Sequence, residues 1–192
     1  MPNWAATTYW IEGKQEDLQE LFDLCEAFAK KKRPVMEDGA SEDWEGNIIL
    51  ALGEEMLNYY MRGFIQTYEL TDGLLTINAS EAWGATDFRH VLRNHYPDMT
   101  IYYVMDEYGM EIFTTNDAEG KYVHNRFTID CCIDGSTTME DFKTEEEALK
   151  WIAKALGRDT ISMEDINRWN FDRQIEGSDD NICLYEYKIT EN

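Results

Sequence analysis

Residues 64–80 read FIQTYEL-TDG-LLTINAS, and this stretch decides the fold. Two runs rich in aromatic and β-branched residues, Phe64–Leu70 and Leu74–Ser80, flank Thr71-Asp72-Gly73. An Asp-Gly pair takes up the positive φ angles that a tight hairpin turn requires, so the reading is strand, turn, strand. Leu75, Ile77 and Ala79 alternate with polar neighbours, which gives the second strand one apolar face.

Upstream of the hairpin, Thr7–Glu12 reads as a strand that Gly13 ends. Residues 15–32 follow with Leu18, Leu21, Phe22, Cys25 and Phe28 at helical spacing. Glu16 and Asp17 at its start and Lys30, Lys31 and Lys32 at its end suit the helix dipole, and Pro34 stops it. Residues 35–47 read as a polar, acidic loop. In Ile48–Tyr60, Ile49, Leu52 and Met56 favour a helix and Gly53 a break. Downstream, Thr86 is placed to cap a helix whose apolar face is Phe88, Val91, Leu92 and His95, with Tyr96-Pro97 as its end. Thr100–Asp106 is a strand with Ile101, Tyr103 and Met105 on one side.

The order to residue 106 is strand, helix, strand, strand, helix, strand. That predicts an α+β protein with a ferredoxin-like βαββαβ antiparallel sheet and its helices on one face. Strands around Glu111–Thr115 and Tyr122–Ile133, joined by a turn at Asn116–Gly120, are expected to extend the sheet. The expected domain covers residues 1–135, with an insertion around 35–62. Residues 136–192 are expected to form a helix-helix-strand extension packed on that core. Within it, Thr144 and Glu147 make a capping box, Ser162 caps a second helix, and Ile182–Ile189 reads as a strand.

Charge narrows the function classes. Thirty-nine acidic residues face seventeen basic ones, a formal net charge of −22. Residues 34–139 hold nineteen acids and five bases, and Glu37, Asp38, Glu42, Asp43, Glu45, Glu54 and Glu55 share one stretch without Lys or Arg. Such a surface repels phosphate backbones and anionic membranes, so direct nucleic-acid and membrane binding are not expected. A basic protein partner, or divalent cations held loosely, fits better. No apolar run approaches the roughly 20 residues of a membrane span, and MPNWAATTYWIEG has neither a basic nor an apolar leader region. The expected compartment is the cytoplasm. Cys25, Cys131, Cys132 and Cys183 form no C-x-x-C pair, which points to free thiols and to no zinc or iron–sulfur cofactor.

Three groups of residues carry a further likeness. They are the opening Met1-Pro2-Asn3-Trp4 with a strand ending Ile11-x-Gly13, the stretch Gly73–Ile77 through Ala82-Trp83, and His95-Tyr96-Pro97-Asp98-Met99 leading to Asp106-Glu107-Tyr108-Gly109-Met110. In this order they resemble the YubB-like proteins with a ferredoxin-like domain, over roughly residues 1–115. The chain differs from that family at Ala5, where Cys is usual, at Gly84-Ala85 in place of Ser-Pro, and at Tyr108 in place of Pro. The resemblance implies the fold and an occurrence in phages, plasmids and bacterial genomes. It implies no catalytic residue.

No G-x-S-x-G, H-E-x-x-H, Walker A or G-x-G-x-x-G motif is present. His90 and His95, five residues apart on one helix, stand about 140° apart around its axis, a poor metal pair. His124 reads as a polar residue on a strand. Two candidate sites remain. The first is the acidic face of Glu37, Asp38, Glu42, Asp43 and Glu45, which would meet a basic partner and in its extreme form mimic a nucleic acid. The second is the strand end at Asp106, Glu107 and Tyr108, with Trp83 as a stacking platform, where paired carboxylates would serve a small-ligand or divalent-metal enzyme. Against each stands a bland reading, of solvated acids and a packing tryptophan.

Overall fold

A computed structural model describes residues 3–191, so Met1 and Pro2 of the opening tetrapeptide lie outside the described residues. The protein is α+β, and the chain divides into two compact units. One runs to Ala118 and takes the chain back from Ile189, and the other spans Glu119–Lys188.

The first unit contains β1 (Trp4–Glu12), α1 (Gln15–Ala29), α2 (Glu45–Ala51), β2 (Gly63–Thr71), β3 (Leu74–Ala82), α3 (Phe88–His95), β4 (Thr100–Glu107) and β5 (Ile112–Thr115). The strands lie in the order β2-β3-β1-β4-β5, and each neighbouring pair is antiparallel. The hairpin forms as the sequence predicts. Thr71 pairs with Leu74, and Asp72 and Gly73 hold φ of 51° and 78°, a two-residue turn whose twist matches the strands. One sheet face buries Tyr9, Ile11, Leu75, Ile77, Ile101 and Tyr103 against Leu18, Leu21 and Phe28 of α1, Ile48 and Ile49 of α2, and Phe88 and Leu92 of α3. Each such side chain contributes about 1.5–3 kcal/mol of transfer free energy.

α1 stops three residues short of its expected end. The amides of Lys31 and Lys32 donate to the carbonyls of Phe28 and Ala27, and Lys31 holds φ of 55°. This is a Schellman cap with lysine where glycine is usual. The ambiguous stretch after residue 47 resolves into the single short helix α2, and Gly53 at φ 83° lies just beyond its end. Thr86 does not serve as the N-cap of α3, a position held by Asp87.

The second unit contains β6 (Phe127–Ile133), β7 (Ser136–Phe142), α4 (Glu145–Ala155), α5 (Met163–Ile175) and β8 (Asn181–Glu186). Its sheet has the order β7-β6-β8, and Ile129, Cys131, Ala148, Ile152, Ile166 and Ile182 make its core. The structure therefore differs from the expected division at residue 135. The strand ending at Ile133 does not extend the first sheet. It pairs with β7 through a second Asp-Gly turn, where Asp134 and Gly135 hold φ of 50° and 73° and Ile133 faces Ser136. The Thr144 hydroxyl caps α4 by accepting from the Glu147 amide. Ser162 and Asp165 complete a capping box on α5. The expected strand Ile182–Ile189 is also two: β8 closes the second sheet, and β9 (Lys188–Ile189) lies beside β5 at the edge of the first. No helix among the described residues is long and apolar enough to cross a membrane.

Candidate functional site

The acidic loop and the edge of the first sheet meet at Trp44, the residue before α2. The Asp43 carbonyl accepts from the Ile65 amide at 2.8 Å, and Trp44 bridges Phe64, so residues 43–44 pair with the outer edge of β2. The Trp44 indole nitrogen donates to the Met61 carbonyl at 2.7 Å. Gly46 leaves the space that the Trp44 ring occupies, because a Cβ there would overlap the indole. Asn47, in the same helix, secures the loop at two points. Its side chain accepts from the Met36 amide at 2.9 Å and donates to the Ser41 carbonyl at 2.7 Å.

Around these anchors lies a groove with three adjoining parts. A cavity of about 530 Å³ lies between α1 and β2, with Cys25, Phe28, Ile65 and Tyr68 on its wall and Glu42 and Trp44 at its side. Burial pushes the Cys25 thiol up to about 12, which leaves it a packing group. Lys31, turned outward by the αL cap, pairs with Glu42 at 2.8 Å and holds that carboxyl below its ordinary range. A second depression is lined by Glu37, Asp38, Ser41, Trp44 and Phe64. A third is lined by Trp4, Asp43, Phe64, Gln66 and Ser80. The Trp4 and Phe64 rings lie 5.7 Å apart with their planes tilted. Exposed carboxylates beside aromatic rings suit a lysine or arginine side chain, which ring faces attract by about 0.5–2 kcal/mol.

Glu45 departs from its expected place on the acidic face. It is fully buried at the start of α2, packed on Gly63, where a Cβ would overlap its carboxyl. Its Oε2 meets the Thr86 hydroxyl at 2.7 Å, and the same hydroxyl lies 2.8 Å from Glu81 Oε1. Glu81 Oε1 also accepts from the Tyr9 hydroxyl at 2.7 Å and from the Thr86 amide at 3.1 Å. Burial first, and then the Glu81 charge, raise the Glu45 carboxyl well above its ordinary value. Sequence reading missed Glu81, Thr86 and Tyr9 as partners. The signal was the alternation Leu75, Ile77, Ala79, whose next inward position is Glu81.

The second candidate site is taken up by its own turn. Glu107 is buried, and its carboxylate accepts from the amides of Gly109 at 2.9 Å and Met110 at 2.6 Å. Tyr108 packs edge-on to Phe113. Asp106 alternates with Glu107 along β4 and so points to the opposite sheet face. Trp83 is 48% exposed, holds φ of 57°, and carries the Arg62 guanidinium 4.9 Å above its ring. Asn3 links the two stretches: its carbonyl accepts from the Trp83 amide, and its side chain lies against Gly109. His95 pairs with Glu54 at 2.8 Å, and His124 lies 2.7 Å from the Gly120 carbonyl. Among the described residues no group of three or more His, Cys, Asp or Glu is arranged to hold a metal ion.

No protein-family model, curated protein or solved structure matches the chain.

Proposed function

We propose that the chain is a non-enzymatic interaction protein whose groove takes a basic segment of a partner protein. The observation that carries this reading is the placement of Glu37, Asp38 and Asp43 around the rings of Trp4, Trp44 and Phe64. The net charge of −22 adds long-range attraction, which raises the association rate and fades with salt. In its extreme form the acidic surface imitates a phosphate array and occupies a nucleic-acid-binding protein. The strand order β2-β3-β1-β4, with helices after β1 and β3, supports the ferredoxin-like reading of the first unit. The YubB-like kinship and its mobile-element setting belong to the same proposal.

The test is titration of an octapeptide of alternating lysine and arginine, with an Asp/Glu octapeptide as control. Saturable binding is expected at low salt. It should weaken steeply towards 0.5 M salt, where the screening length is roughly 4 Å, and in the double variant Asp38→Asn/Asp43→Asn. Binding that ignores both salt and the two substitutions would refute the groove, as would its complete absence at low salt.

A further inference from the structure

We infer that the Glu45–Glu81 pair holds one proton between two buried carboxyl groups, and that this proton latches α2, and with it the acidic loop, onto the sheet. The geometry makes the count. Three donors face the pair: the Tyr9 hydroxyl, the Thr86 amide and the Thr86 hydroxyl. Two of them, from Tyr9 and the Thr86 backbone, go to Glu81 alone. The single Thr86 hydroxyl proton cannot serve both carboxyls, and the Thr86 oxygen also accepts from the Phe88 amide at 3.2 Å. Glu45 Oε1 and Glu81 Oε2 are buried with no hydrogen-bond partner. Two buried carboxylates left in that state would each keep one oxygen without a donor, at a cost that native structures avoid. One proton on Glu45, shared with Glu81, supplies it. Glu81, with two dedicated donors, keeps the charge.

The groups that face the pair come from four elements. Tyr9 stands on β1, Glu81 on β3, Glu45 on α2 and Arg89 on α3. Burial, and then the Glu81 charge, push the Tyr9 hydroxyl well above its ordinary value, and Arg89 counters them. Arg89 stacks 4.3 Å over the Tyr103 ring and makes no ion pair with either acid. Tyr60 lies farther out, within range of both the Glu81 charge and the Arg62 guanidinium. No cation therefore neutralises Glu45, and the shared proton is its counter-charge.

Glu45 opens α2, directly after Trp44 and two residues before Asn47. The helix that the proton seats thus carries the indole of the groove and the amide that secures Met36 and Ser41. The sign follows. The folded-state value of Glu45 is raised, so the folded chain holds a proton that the unfolded chain has released. This stabilisation is full below the ordinary glutamate range and is lost as pH rises towards the folded-state value. Resting on the groove reading, the latch makes capture of a basic segment weaken as pH rises.

The experiment compares the full chain with Glu45→Gln, whose amide donates to Glu81 at every pH. Native-state hydrogen exchange is read at the amides of α2 and of Met36 from pH 5 to 9, as the ratio of wild type to variant at each pH. The wild-type opening constant should grow relative to the variant by up to about tenfold per pH unit, the slope of one proton, and level off once pH passes the folded-state value. A ratio that stays flat across the range would overturn the latch. Glu81→Gln, which removes the like charge and leaves the burial, should make the profile level off at a lower pH than in the wild type, and it stands in if Glu45→Gln fails to fold; a profile identical to the wild type would refute the pair. Hexalysine titration separates the two proposals: no binding at any pH sinks the groove, while the exchange ratio still decides the latch.

Discussion

Gly46 and Glu107 show how single side chains, or their absence, place the groove and close off the strand end. The Trp44 ring lies where a Gly46 side chain would stand. Gly46→Ala should therefore dislodge the indole and cost about 1–3 kcal/mol, the range for overpacking, seen as a lower urea midpoint with altered tryptophan emission. An unchanged midpoint would mean that the ring has another seat. Glu107 was a candidate acid or metal ligand from sequence, since its pair with Asp106 at a strand end is what such chemistry uses. Its carboxylate instead serves two amides of its own turn. Glu107→Gln loses one of those acceptor bonds and should cost about 1–3 kcal/mol, measured by denaturation. Equal stability would contradict the turn-capping role. Glu45 was hidden for a different reason. It stands in a run of acids that looks uniformly solvated, and nothing local distinguishes the one that turns inward.

The Asp72-Gly73 hairpin and the Thr144 and Ser162 caps are legible in the sequence, because their signals are local. Asp72-Gly73 announced the first hairpin through its φ requirement alone. Asp134-Gly135 carries the same signal, yet β7 is not legible in the sequence, because Ser136–Phe142 is mostly exposed and lacks the apolar alternation that marks a strand. Without a sequence signal for β7, the strand before it reads as an extension of the first sheet. Pairing between distant segments has no local signature, and β6 could not show from its own residues which sheet it enters. α5 depends most on its cap, since Ile166 is its buried residue. The Ser162 hydroxyl and amide hold the Asp165 carboxyl below its ordinary range. The cap's contribution is thus present above the usual aspartate value and lost as pH falls through the lowered one. Amide exchange in the first turn of α5 should accelerate there in the wild type. Asp165→Asn should lack this acid-dependent step, and matching profiles would refute it. Ser162→Ala should cost about 0.5–2 kcal/mol at neutral pH.

At the scale of the whole molecule, a formal charge of −22 works against compaction. Self-repulsion between surface acids is screened as the Debye length shrinks to about 8 Å at 0.15 M salt. The melting temperature should therefore climb between low and physiological ionic strength, as scanning calorimetry would record, whereas a fall would mean that favourable ion pairs dominate. The path of the chain has its own outcome. It leaves the first sheet after β5 and comes home at β9, where the Thr190 amide donates to the Thr115 carbonyl at 2.9 Å and its hydroxyl meets Tyr103 at 2.8 Å. Exit and re-entry are thus neighbours, and residues 119–188 form a cassette nested in a host. Excising the cassette and joining its flanks by a short glycine-rich turn should leave a host that still folds, with the amide dispersion of β1–β5 preserved in its NMR spectrum. On the ribosome, meanwhile, the host must wait for the whole cassette and then Lys188–Ile189 to emerge before its outermost strand can be laid down.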